Sequence, residues 1–569
     1  MLSCSTCGDT GSVTNSAPDE AAAFPQDPAG SPLPQDTVLP SDTVLPQDTA
    51  LPQDTVLPQD TVLPSDTVLP SDTALPRDTV LPQGTMLTIE QRMVNTRAIA
   101  GGMRVKQPKD VRRPGGPSKA RVLSAGLTGR IPTLEFMDDL MATKPISYAR
   151  VGPEHLYGLS DPELIWEVFA KLDGMTTKSM ALQATRPILG NGMLTSEEPE
   201  HRRNRSLAQP AFSPKRITTY GDQMVECTNR LDAKWRERFA AGNSEVLIAE
   251  EMADLTLDIV GRTLFGADLT GDAADISEAL TAVLGRFTKV TSPLGMLMMI
   301  APTPARRRLV ESVEGLDAVV ERLIDDKRAQ LAAGEELNDM LAVLIEARDP
   351  ETGEGLSLNE LRDEVMTLVL AGHETTANAL AWTWLELSTN RDVWAWVAQE
   401  WDAIEPDRQL GIADIPDLPR TRAIVNESMR LHPPAWITSR RLMDDTTLAG
   451  FDIPKGSTMF ASQYFMHRDS RYWVHADAFE PTRWINSEGA FDEKAPGQPR
   501  AVWFPFGFAS RKCIGDRFAL AEAVLAMATL GRKWEVIATD PASVVPVPAI
   551  TLRPGNGIPA HIRPRMIAR

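Results

Sequence analysis

Ser357, followed three residues later by Glu360, opens an apolar pattern that continues to about Leu387, and this stretch limits the possible fold more than any other. A serine at the cap and a glutamate at the third helical position satisfy each other's backbone donors, so the spacing predicts a helix starting here. About thirty residues at ~1.5 Å each span ~45 Å, enough to cross a whole domain. Helical patterns recur at about 213–237, 248–265, 303–332, 392–404, 417–431 and 514–531. Short strands are expected at 146–151, 155–159, about 435–449 and in the final segment, and Asp161-Pro162-Glu163 is a helix start with proline at its first position. The expected architecture is mainly α with a small β region.

A different rule governs the first part of the chain. Residues 33–80 are tandem copies of Leu-Pro-x-Asp-Thr-(Val/Ala), with a degenerate copy at 81–86. Proline in every copy removes amide donors, and the apolar positions are too sparse for a core. Residues 1–110 are therefore expected to be a disordered extension, and residues 111–569 the folded domain. Proline in every copy and the lack of capping coils also disfavour a hexapeptide β-solenoid. Cys4 and Cys7 have no second pair nearby, so no metal site is expected there. The net charge of −19 argues against nucleic acid as a partner. The basic neck at 104–121 reads as a solvated linker. With no apolar signal core and no span-length apolar run near the N-terminus, the expectation is a cytoplasmic protein with no transmembrane segment.

Cys513 lies in Phe504-Pro-Phe-Gly-Phe-Ala-Ser-Arg-Lys-Cys-Ile-Gly-Asp-Arg-Phe-Ala-Leu520, between turn-forming, basic and small residues at the mouth of a predicted helix. Unpaired amides at a helix N-terminus stabilise a thiolate, and Arg511, Lys512 and Arg517 favour the anion further. A cysteine in this setting reads as a metal ligand, and as an axial haem ligand it would push electron density toward bound dioxygen.

The segment resembles the haem-binding loop of the cytochrome P-450 superfamily, whose pattern Phe-x-x-Gly-x-Arg-x-Cys-x-Gly falls on Phe506, Ala509, Arg511, Cys513 and Gly515. Ala509 departs from the pattern, since glycine is usual there, and its methyl group disfavours strongly left-handed dihedrals. Three more segments occur in the family's order: Ala371-Gly372-His373-Glu374-Thr375-Thr376, then Glu427-Ser-Met-Arg430, then Phe479-Glu-Pro-Thr-Arg483-Trp484. The likeness spans roughly residues 115 to 569 and implies the cytochrome P-450 fold.

The resemblance implies haem b (iron protoporphyrin IX) with Cys513 as thiolate ligand, and dioxygen as co-substrate. Ala371 and Gly372 would leave room for the flat cofactor on the long helix. Glu374 and Thr375 would be the acid and alcohol of a proton relay. His201 and Arg205, with Arg440 or Arg441, would hold the two haem propionates, a task that suits the planar guanidinium fork. Glu427, Arg430 and Arg483 would form a buried structural ion network. The implied reaction is hydroxylation or epoxidation of an apolar small molecule of terpenoid, fatty acid or polyketide type. Electrons would come from NAD(P)H indirectly, through a separate ferredoxin and ferredoxin reductase or an equivalent donor, drawn to Arg202, Arg203, Lys512 and Arg517. Pocket candidates are Ala371, Thr375, Trp436 and the two residues after it, the loop at 180–193, and an entry lid at 294–300. Alternatives are a haem-thiolate peroxygenase, dehydratase or isomerase, and a non-enzymatic haem-binding protein.

Overall fold

A computed structural model describes residues 86–565, except for 103–104, 106, 109, 128–132, 270–302 and 406–407. The repeats at 33–80, the Cys4/Cys7 pair and the expected lid at 294–300 all lie outside the described residues. The central element is the helix Leu358–Thr389, about 48 Å long at ~1.5 Å per residue. It starts as expected: Ser357 Oγ accepts from the Glu360 amide at 3.3 Å, and Glu360 Oε2 accepts from the Ser357 amide at 2.7 Å. Its residues are buried on almost every face, which explains why the apolar pattern lacks a polar side.

Around it pack the helices Pro214–Ala240, Ile248–Leu264, Pro304–Ala332, Arg391–Asp402, Pro419–Leu431 and Asp516–Gly531. Each matches a helical pattern read from the sequence to within a few residues. One large apolar cluster joins most of them, including Trp235, Trp382, Trp384, Trp401 and Trp534. The largest of the sheets has five strands. Ile146–Val151 pairs antiparallel with Glu154–Leu159, which pairs parallel with Thr458–Ala461; that strand pairs antiparallel with Thr438–Leu442, whose other neighbour is Thr176–Thr177. Asp161 caps the following helix by accepting from the Glu163 and Leu164 amides.

Two boundary expectations need correction. The disordered extension expected up to residue 110 is contradicted over its last part, because Ile89–Gly102 is a helix with Ile89 and Met93 buried against Leu309 and Val313. The signal was present in Thr88-Ile-Glu-Gln91, a capping box in which Thr88 and Gln91 exchange hydrogen bonds of 2.9 and 3.3 Å. Nor is the described part of the basic neck a free linker. The Gly115 carbonyl accepts from the Tyr148 amide at 2.9 Å, Arg113 bonds the Tyr157 hydroxyl, and Arg112 stacks over Phe451.

Candidate functional site

The cysteine loop is built by backbone turns. Gly507 has φ +73°, and the Cys513 amide donates to the Phe506 carbonyl at 2.8 Å, closing the loop. Ala509 takes φ +47°, so it does enter the left-handed region that its methyl group was expected to avoid. The loop geometry overrides a local preference worth about 1–2 kcal/mol. Gly515 stands at the cap of the helix Asp516–Gly531, and its amide points to the Cys513 sulfur. Cys513 itself is exposed, unlike the buried Cys227. Desolvation still pushes the Cys513 thiol up, outweighing the pull of the Gly515 amide, Arg205 and Lys512. Arg511 turns away to the Ser196 carbonyl at 3.0 Å and to Glu198 at 3.3 Å, while Lys512 pairs with Asp516 at 2.6 Å.

On the central helix the burial pattern breaks at one place. Ala371 is exposed, and Gly372 and Thr375 are half-buried, within a run that is otherwise almost wholly buried. Uncovered small residues in the middle of a buried helix mark the wall of an internal space. The Thr375 hydroxyl donates to the Ala371 carbonyl at 2.7 Å, a back-bond that competes with the helical ladder. Glu374 points elsewhere: its carboxylate accepts from Arg553 Nε at 2.5 Å and from the Thr551 hydroxyl, both on a C-terminal hairpin. Sequence reading missed this partner because the hairpin lies far downstream in the chain. Burial lowers His373 to about 4, so its imidazole is neutral.

A group of cations converges beside the loop. His201 sits on the helix Glu200–Ala208 and is buried. Burial first, then Arg511, Lys178, Arg205 and Arg440, lower it to about 3. Arg205 donates to the Lys512 carbonyl at 2.8 Å, tying this helix to the cysteine loop. Arg440 and Arg441 are successive residues of one strand, so their side chains point to opposite faces. Arg441 pairs with Glu154 at 3.0 Å on one face, while Arg440 faces the cluster and is lowered to about 10 by burial and by Arg511. Lys178 was missed by sequence reading. It is buried, donates to the Met193 carbonyl at 2.7 Å, and is pushed well down by burial and by Arg511. Nothing in Thr176-Thr-Lys-Ser179 marks it.

Glu427, Arg430 and Arg483 meet. Glu427 accepts from Arg430 Nε and Nη2 at 2.9 Å each, from Arg483 Nε at 3.0 Å, and from Trp484 Nε1 and the Glu480 amide at 2.9 Å each. Arg430 also donates to the carbonyls of His467, Ala476 and Ala478. Glu522, also missed, is fully buried beside Thr376 on the helix that follows Cys513, and burial raises it well above the carboxylate range.

Other expectations are corrected. Trp436 is fully buried, with its indole on the Ala549 carbonyl, so it is core and not pocket wall. Arg203 turns inward to Glu360 at 2.7 Å and to the Gly355 carbonyl, and is no free surface cation, whereas the Arg202 side chain is 84 % exposed.

Comparison with known proteins agrees with this geometry. The family model for cytochrome P450 matches residues 114–557. The chain is 35% identical over 424 residues to cyclooctatin synthase of Streptomyces melanosporofaciens, covering 74% of this chain and 89% of that protein. It is 31% identical to the same organism's cyclooctat-9-en-7-ol 5-monooxygenase, covering 74% and 86% of the two chains. It is also 31% identical to pentalenene oxygenase of Streptomyces avermitilis, covering 77% and 93%. The chain belongs to the cytochrome P450 family and is an oxidoreductase of its monooxygenase type.

Proposed function

We propose that this cytochrome P450 inserts oxygen into a cyclic terpenoid skeleton, using a haem held by Cys513 and electrons from a separate donor. The observation that carries the reading is the uncovered patch at Ala371, Gly372 and Thr375 on a helix that is otherwise largely buried, in a fold that also leaves Cys513 uncovered. The names of the similar Streptomyces enzymes support a terpenoid over a fatty acid or polyketide.

The donor set fits an iron porphyrin. Arg205, Lys178, Arg440 and Arg511 come together around a neutral His201, and two propionates would be anions suited to those donors. When bound, the haem supplies dioxygen activation, and the protein supplies binding, orientation and electrostatics. Cys513 would bind as the thiolate, with the Gly515 amide, Arg205 and Lys512 favouring the anion. His201, held neutral, would donate a hydrogen bond without adding charge. Ala371 would let a flat ring approach the helix, whereas Gly372 lets the helix Ile248–Leu264 come close, since a Cβ there would meet Val260 at 3.2 Å. The Thr375 hydroxyl, already bonded to the Ala371 carbonyl, would exchange that partner for water and pass a proton inward. Glu374 is fixed by Arg553 and Thr551, so it would hold the orientation of the hydrogen-bonded chain while its second oxygen, buried without a protein partner, accepts from water. Such proton transfer contributes typically ~10²–10⁴ in rate.

The test is a spectral titration of haem-loaded protein with cyclic terpene hydrocarbons, fatty acids and polyketides. Saturable perturbation by the terpenes alone, followed by product formation with a ferredoxin and its reductase, is expected. Equal response to all three classes would remove the substrate assignment, and a Cys513→Ser protein with an unaltered haem spectrum would remove the ligand.

A further inference from the structure

The helix Ile89–Gly102 lies upstream of the span the family matches, and the reaction proposed above does not use it. It is nonetheless wired into the domain. Arg92 is 5 % exposed and its guanidinium reaches three partners: Nε donates to the Pro187 carbonyl at 2.9 Å, Nη1 to the Leu87 carbonyl at 2.5 Å, and Nη2 to Asp317 at 2.6 Å. Asp317, on the helix Pro304–Ala332, also accepts from Arg362 Nε of the central helix at 2.7 Å. The Leu87 amide donates to Asn359 Oδ1 at 2.7 Å. Ile188 packs on the cluster made by Ile89, Met93, Leu309 and Val313.

The segment that Arg92 and the Ile89/Met93 cluster hold, residues 187–193, is the end of the short helix Arg186–Leu189 and the loop after it, and it lies directly on the central helix. The Asn191 amide donates to Asp363 at 2.6 Å, and the Met193 amide to Glu364 at 3.2 Å. Gly190 and Gly192 are required by this contact: a Cβ at Gly190, which has φ +65°, would strike the Asp363 carboxylate, and one at Gly192 would strike the Thr367 hydroxyl. Thr367 is one helical turn before Ala371. Through the Met193 carbonyl the same loop also receives Lys178 of the cation cluster, at 2.7 Å.

We propose that residues 86–102 are a clamp that seats the 187–193 loop on the central helix, one turn from Ala371, and so determine the fit of apolar ligands in the pocket. The inference rests on the haem-pocket reading above. If weakening the clamp leaves the loop seated in about one molecule in ten, the apparent affinity for a ligand that needs the seated loop falls about tenfold.

The experiment uses the full chain, loaded with haem, titrated with phenylimidazole as a bulky apolar probe and with imidazole as a small one. Arg92→Gln and the double variant Ile89→Ala/Met93→Ala are compared with Val94→Ala, which alters an exposed position of the same helix. The expected result is phenylimidazole binding weakened about tenfold in the first two, imidazole binding within about twofold, and faster amide exchange confined to 187–193. Unchanged phenylimidazole affinity in Arg92→Gln with normal haem content overturns the clamp, as does faster exchange spread evenly over the domain. Failure of the unaltered chain to take up haem or either azole would instead refute the pocket reading. If the double variant does not fold, Arg92→Gln alone decides.

Discussion

Replacing Glu427 by alanine removes the acceptor on which five donors converge, at a position with no exposed surface. Arg430 would then keep its charge in the core with only carbonyl partners. Breaking a buried pair by removing one member costs about 3–5 kcal/mol. The Trp484 indole and the Glu480 amide would also lose their acceptor, at about 1–3 kcal/mol for each donor left unsatisfied. The loss is therefore about 5 kcal/mol or more, against the ~5–15 kcal/mol that typically holds a domain together. Glu427→Ala should accumulate as insoluble or haem-free protein. Glu427→Gln, which keeps the shape and one acceptor, should lose less. Soluble yield, haem absorbance and denaturant midpoint measured side by side decide the matter. A Glu427→Ala protein with wild-type midpoint and haem content would refute the account of this network.

Ala509→Gly should stabilise the protein by up to about 1 kcal/mol, because relief of the left-handed alanine exceeds the added freedom of the unfolded chain; a lower denaturant midpoint would contradict it. His373 is neutral in the fold at about 4 against an ordinary 6.5, so its contribution to stability is complete above pH 6.5 and lost as the pH falls toward 4. Urea melts across that window should show a shallower acid loss for His373→Leu, and identical slopes would count against it. Reversing the exposed Arg202 and Arg517 to glutamate should slow electron transfer from an acidic donor and flatten its salt dependence, read by stopped-flow reduction. The inward-turned Arg203 should instead affect stability when changed, which thermal melts would detect.

The sequence by itself determined the elements whose instructions are local. The Ser357/Glu360 cap, the helical periods, the Asp161 cap and the turn residues around Cys513 act within a few positions along the chain, and the structure has them where the spacing puts them. The capping box at Thr88 was equally local and went unread beside the repeats. What only tertiary structure decided depends on partners far away in the chain. Strand pairing set Arg440 and Arg441 on opposite faces, Glu360 drew Arg203 inward, Met193 captured Lys178, and a distant hairpin fixed Glu374. Caps and periodicity are set by bonds between near neighbours, whereas desolvation and long-range charge depend on everything packed around a group, which no short stretch of sequence contains.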